Sequence, residues 1–298
     1  MRATFNSQFR DAQVSLEAAS ERLVEYQTQV ASGKRVNKAS DDPSAASAAV
    51  KQRAELAGIE QYQRTADSVT ARLTVIDTAL SDIVDKLTAA QTAVVSAQGS
   101  GKTTAQRDAA ARQIESVRAA LVDDFNLSFN GTYVFAGSAS TTPPFPVDGT
   151  GAISGYNGTT TEVEVDVSDE SSVTVGLDGS AIAQGSAASD VFAVLTDLAS
   201  AARSGDAAAL STGFADLQDA FSRATAAQGR VGVGMNTVEG QQSRMTQLKV
   251  AGAAQLSRLE DADLSKAITG MSHADAAYQA AMGAIGAATK RSLMDYIG

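Results

Sequence analysis

FNSQFRDAQVSLEAASERLVEYQTQV, residues 5–30, carries its apolar side chains in steps of four and three: Phe5, Phe9, Ala12, Leu16, Ala19, Leu23, Tyr26 and Val30. Near the other end LSKAITGMSHADAAYQAAMGAI, residues 264–285, has the same rhythm in Leu264, Ile268, Met271, Tyr278, Met282 and Ile285. Each stripe is one face of a long helix, which cannot bury that face by itself. Two such helices at opposite ends of a chain pair most simply with each other. The reading is mainly α: a long antiparallel helical bundle or coiled coil, closed by paired terminal helices, with a small β-rich insert. A domain closed by its termini points to an assembly subunit rather than a catalyst.

Composition agrees. Apolar residues make up 44% of the 298, but aromatics are 5% and tryptophan is absent, so alanine supplies much of the apolar count. Alanine has the highest helix propensity and lets backbones approach. No cysteine is present, which excludes disulfides, thiolate catalysis and cysteine-based zinc sites. His273 is the single histidine, so a multi-histidine metal site is excluded too. A net charge of −10 argues against nucleic acid, which is bound through clustered Lys and Arg. No run of about 20 apolar residues exists to insert in a membrane, and the N-terminus lacks the apolar core of a secretory signal. On these rules the chain is cytoplasmic or leaves by a route that needs no cleaved signal.

After the first stripe comes SDDP at 40–43. Ser40 is a good N-cap, Asp41 and Asp42 favour the positive end of a helix dipole, and Pro43 suits a first turn. The next helix holds the longest periodic run: Ile59, Tyr62, Ala66, Val69, Leu73, Ile76, Leu80, Ile83, Leu87, Ala90 and Val94. At about 1.5 Å per residue that run extends roughly 54 Å. Gly99 and Gly101 end it, and a third helix follows with Thr103 or Thr104 as cap and Ala110, Ile114, Val117 and Leu121 as its stripe.

Asn130-Gly131 marks a turn, and helical periodicity is absent from 131 to 188. Val163, Val165 and Val167 alternate with acids, and Val173, Val175 and Leu177 repeat the pattern, which predicts a hairpin. Helix returns near Ser189 with Val191, Val194, Leu195 and Leu198. A second very long stripe follows through Leu210, Phe214, Leu217, Phe221, Ala224, Val231, Met235, Val238, Met245, Leu256 and Leu259. Its apolar character lapses at Gln228, Gln242, Lys249 and Gly252. The division expected is a terminal coiled coil of 1–42 with 263–298, a helical bundle of 43–138 with 187–262, and a β insert of 139–186.

No catalytic constellation emerges. Asp41-Asp42 and Asp123-Asp124 are neighbours, which do not face each other on a helix, and read as capping or solvated groups. Gly229, Gly232 and Gly234 match no phosphate-binding spacing and follow no strand. His273 lies off the main stripe, as a surface residue would. Neither a catalytic residue, a metal ligand nor a cofactor site is assigned. Val14, Val24 and Ile297, off the stripes, are placed to reach neighbouring chains.

Three segments resemble one family. SGKRVNKASDDPSAAS at 32–47 is similar to the stretch after the first helix in the bacterial flagellin superfamily, and its Asp-Asp-Pro is most like the hook-associated (hook–filament junction) branch. GTYVFAGSASTTPPF at 131–145 resembles that branch's entry into its β insert, and SLMDYI at 292–297 resembles the family's end. The resemblance implies an extracellular structural subunit of the bacterial flagellum. The terminal helices would form an inner tube, the middle helices a second layer, and the insert, short for the branch, the outer surface. It also implies export through the flagellar type III pathway without a cleaved signal peptide. The partners implied are further copies in a ring or helical oligomer, the hook-side junction protein, flagellin, and an export chaperone at the C-terminal region. A filament flagellin is the alternative within the class. A coiled-coil signalling protein or an enzyme carried on the insert would be the alternatives outside it.

Overall fold

The computed structural model describes residues 2–99, 101–149, 151–187 and 190–297; the side chains of residues 2–8 and 287–297 lie outside the description. In order, the elements are α1 (Arg2–Ser32), α2 (Pro43–Ala97), α3 (Thr104–Phe125), β1 (Ser128–Phe129), β2 (Thr132–Tyr133), β3 (Val163–Ser168), β4 (Ser171–Gly176), α4 (Gly179–Ala183), α5 (Val191–Ser204), α6 (Ala207–Glu260) and α7 (Leu264–Ile297). The protein is mainly α, with two small antiparallel hairpins among the described residues.

The chain forms two compact units, Met1–Ile59 with Gln247–Gly298, and Glu60–Thr246. Their borders fall inside α2 and α6, away from the borders drawn at 42/43 and 262/263 on helix ends. The reason is local packing: the start of α2 and the end of α6 have their own contacts in the first unit. Gly252 is one, since a Cβ there would sit 2.8 Å from Leu56 Cδ2.

The second unit is built on the long stripes. Ala66, Val69, Leu73, Ile76, Leu80, Ile83, Leu87, Ala90 and Val94 of α2 are all buried. On α6 the buried positions Leu210, Leu217, Ala224, Val231, Val238 and Met245 recur every seven residues, so the beat survives the lapses between them. Phe214, Phe221 and Met235 flank that seam, half-buried. Gly229, Gly232 and Gly234 lie within uninterrupted helix. Local chemistry sets the shorter helices. Thr103 and Gln106 form a reciprocal capping box at α3, and Asp190 caps α5 by accepting from Ala193 N–H at 2.8 Å. Ser189, where helix was expected to resume, lies outside the described residues.

Asn130 (φ 50°) and Gly131 (φ 77°) make the two-residue turn of the β1–β2 hairpin, both in the left-handed region such a turn requires. The expected β3–β4 hairpin is present, with Val167, Val173 and Val175 buried and Val163 and Val165 half-buried. The short helix α4 was not foreseen; Asp178 caps it through Ser180 N–H at 2.8 Å.

The insert does not stand apart from the helices that flank it. Phe145 packs its ring 5.3 Å from Phe125 of α3 and 4.9 Å from Phe192 of α5, with Tyr156 5.3 Å away. Arg72 of α2 donates to the Val175 carbonyl and the Thr132 hydroxyl, and Arg223 of α6 donates to the Ile182 and Ala183 carbonyls. Phe145→Ala should therefore cost about 3–5 kcal/mol of unfolding free energy, as large core truncations do. Val147→Ala, two residues on but 51% exposed, should change it by no more than about 0.5 kcal/mol. Urea unfolding of the two variants checks the contrast; equal effects would mean the insert is not part of the core.

Candidate assembly interface

The terminal helices α1 and α7 pack on each other in the first unit. The α7 seam runs through Ala267, Met271, Ala274, Tyr278, Ala281 and Ile285, again in steps of four and three. This corrects the expected stripe. Met271, Tyr278 and Ile285 sit on the seam, half-buried, whereas Leu264 (49%), Ile268 (50%) and Met282 (50%) are exposed. Alanines at 267, 274 and 281 alternate along the seam with Met271, Tyr278 and Ile285, and their small side chains let the two backbones approach. The closest approach is at Gly270, where a Cβ would lie 2.5 Å from the Tyr26 ring. On α1, Phe9, Leu16, Leu23, Tyr26 and Val30 are half-buried and Ala19 is buried. Phe5 and Ile297 fall where side chains are not described. Val14 and Val24 are exposed, and so is His273.

A clamp joins the two turns that feed this pair. Gly33 (φ 71°) ends α1, its N–H donating to the Gln29 carbonyl. The chain then runs beside the end of α6. Arg35 N–H donates to the Glu260 carbonyl at 2.6 Å, Val36 N–H to the same oxygen at 3.3 Å, and Ala262 N–H to the Gly33 carbonyl at 2.9 Å. The Glu260 side chain, 3% exposed, accepts from Lys34 Nζ at 2.9 Å and pairs with the Arg53 guanidinium of α2. Burial alone would raise its pKa, but Lys34 and Arg53 more than offset that and hold the carboxyl below the usual range. A glutamate here works against the helix dipole, whose negative end lies at the C-terminus. That conflict is a sequence signal from which the clamp could have been found.

At the start of α2 the cap is Asp42, not Ser40: its carboxylate accepts from Ala45 N–H at 3.0 Å and the Ser44 hydroxyl, while Ser40 stays exposed. The residue immediately before Pro43 has the geometry to reach the third helical N–H, and Ser40 is too far back. Asp41 instead closes the preceding turn, accepting from Asn37 and Lys38 N–H. The Ala45 N–H bond, helped by Ser44 and Arg35, depresses the Asp42 pKa to about 2. Elsewhere, Asp124 pairs with Lys86, and its pKa is raised because it is partly buried. Among the described residues no three His, Cys, Asp or Glu converge to hold a metal ion, and no helix is long and apolar enough to cross a membrane.

Residues 5–140 match the model of the bacterial flagellin N-terminal helical region. The chain is also similar to flagellar hook-associated proteins. Flagellar hook-associated protein 3 of Salmonella typhimurium is 30% identical over 155 residues, 52% of this chain and 48% of that protein. The match thus spans about half the length of that relative. Among solved structures, FlgL of Bacillus cereus is similar at a TM-score of 0.59 and 23% identity, over 70% of this chain and 99% of its own. The flagellar junction protein FlgL of Legionella pneumophila is similar at 0.60 and 16%, over 72% and 99%. The structural likenesses show a shared mainly α fold.

Two variants probe the interface. Glu260→Gln keeps the shape but leaves Lys34 and Arg53 without their carboxylate, and should cost about 1–3 kcal/mol. Because Glu260 and Asp42 are both depressed when folded, their stabilisation is complete above the ordinary values of 4.5 and 3.8 and is lost as pH falls through the lower folded ones. Urea midpoints should therefore fall as pH drops from about 4.5 toward 2, and less steeply in the Glu260→Gln, Asp42→Asn double variant. Gly270→Leu should push the Tyr26 ring off α7, read as lost hydrogen-exchange protection around residues 23–30 and 267–274. Unchanged protection would exclude the close contact.

Proposed function

We propose that this chain is a non-enzymatic structural subunit of the bacterial flagellum that joins the hook-side junction protein to the flagellin filament. The likeness to hook-associated protein 3 supports the reading, and one structural observation carries it. Among the described residues, eleven large hydrophobic side chains are exposed: Val14, Val24, Val50, Leu248, Val250, Leu264, Ile268 and Met282 lie in the first unit, and Val95, Val147 and Val233 in the second, larger one. Exposed apolar side chains gathered on one part of a molecule mark a surface that another protein covers. On this reading the terminal pair is the assembly element, formed by Phe5, Phe9, Leu16, Leu23, Val30, Leu264, Ile268, Met271, Tyr278, Met282 and Ile285.

The same reading places the protein outside the cell, exported without a cleaved signal peptide. Its partners are further copies in a ring or helical oligomer, the hook-side junction protein, flagellin, and an export chaperone at the C-terminal region. Export as an unfolded chain fits terminal helices that offer one narrow, alanine-interrupted stripe each, since their burial is completed by neighbours.

Fluorescent labelling of a tagged copy tests the assignment: a single spot at the hook's end is expected, and labelling along the whole filament would make it a flagellin instead. Amide hydrogen exchange gives a second check. Protection at residues 10–30 and 265–290 should rise on assembly, and equally strong protection in the isolated monomer would contradict assembly-coupled ordering.

A further inference from the structure

An open cleft of about 530 Å³ lies between α2 and the β3–β4 hairpin, within the second unit. Its α2 wall is one helix face, on which Arg64, Ser68 and Arg72 follow each other at about 6 Å of rise. Val69, Val163, Val165 and Val175 give the cleft an apolar floor. No acid lines it: Glu164 and Asp166 alternate with those valines on β3, and Asp169 at the hairpin turn is engaged by the Tyr62 hydroxyl at 2.6 Å.

The cations of this wall lack counter-charges. Arg72 is half-buried; its Nε donates to the Val175 carbonyl at 2.6 Å and its Nη1 to the Thr132 hydroxyl at 2.8 Å, while Nη2 has no acceptor among the described residues. Burial pushes its pKa down and no carboxylate offsets the shift, whereas Arg223 of α6 has Asp219 and Asp216 near it. Arg64 is exposed and has no partner among the described residues. Thr70, Thr74 and Thr78 of α2 donate to carbonyls four residues back, but Thr65 and Ser68 make no such bond and face the cleft, as does Ser140 from the other wall. A charge taken partly out of water without an acid is costly, and an anion in the cleft would offset that cost.

We propose that the cleft binds a small organic phosphate or sulfate monoester, its anionic head between Arg64 and Arg72 over Ser68 and its apolar body on the valines. Arginine's planar fork matches such oxygens, and hydroxyl donors on both walls suit a tetrahedral head better than a planar carboxylate. The site is separate from the terminal pair, so its test does not depend on whether the chain assembles.

Titration calorimetry of the full-length protein in chloride buffer, with amide NMR shifts to locate the ligand, tests the assignment. Phenyl phosphate or phenyl sulfate should bind and shift resonances of residues 64–72 and 163–175; the tighter of the two names the head group. Inorganic phosphate should bind about tenfold more weakly, for want of the apolar body, and phenol not measurably. Arg64→Ala should weaken binding at least about fivefold with an unchanged melting temperature, since that side chain has no partner to lose. Arg72→Lys, which keeps the charge without the fork, should weaken it about tenfold. Failure of both monoesters to bind, binding of benzoate or phenol as tight as that of phenyl phosphate, shifts confined to other residues, or an affinity unaltered by Arg64→Ala would each overturn the site.

Discussion

A helix packed against one neighbour buries one stripe of its surface and leaves the rest to water or to another molecule. That constraint governs the terminal pair. Where α1 and α7 meet, alanines and Gly270 against the Tyr26 ring allow close approach, and Met271, Tyr278 and Ile285 between them are only half-buried, so little apolar area leaves solvent. The larger side chains Leu264, Ile268 and Met282 are left outside. A pair built in this way is defined in register yet thinly buried, which is what an element completed by neighbours requires.

Polar chemistry holds that pair to the helices that carry it. Glu260 is almost fully buried at a helix end that disfavours an acid, and two cations with two backbone N–H groups surround it through its side chain and carbonyl. A buried charge of this kind adds less net stability than its ion pairs suggest, because both partners lose water. Its effect is geometric: the wrong register would leave the carboxylate buried and alone. Asp42 and Asp41 serve the neighbouring turn in the same manner, by collecting N–H groups that no helix satisfies.

The second unit follows a different logic. There α2 and α6 hold a sustained apolar beat, and the β-rich segment between α3 and α5 is held to those two helices by Phe145 and to α2 and α6 by arginines that donate to backbone carbonyls. Sequence reading treated that segment as separable because its composition changes at Asn130-Gly131. Composition marks where helix stops; it does not mark which aromatic rings fill the ends of the helical core.

By itself the sequence determined the long helices, the β3–β4 hairpin, the turn at Asn130-Gly131 and the absence of cysteine chemistry, because periodicity, caps and turn dipeptides act over a few residues. The Asn-Gly turn and the Thr103 cap were legible for that reason. Tertiary structure alone decided three things: which members of the α7 stripe face α1, that Asp42 rather than Ser40 caps α2, and that Glu260 meets Lys34 from 226 positions away. Each depends on distances and rotations between elements. A stripe of apolar residues fixes a face only to within the angle between adjacent side chains, and packing against a real neighbour selects within that angle.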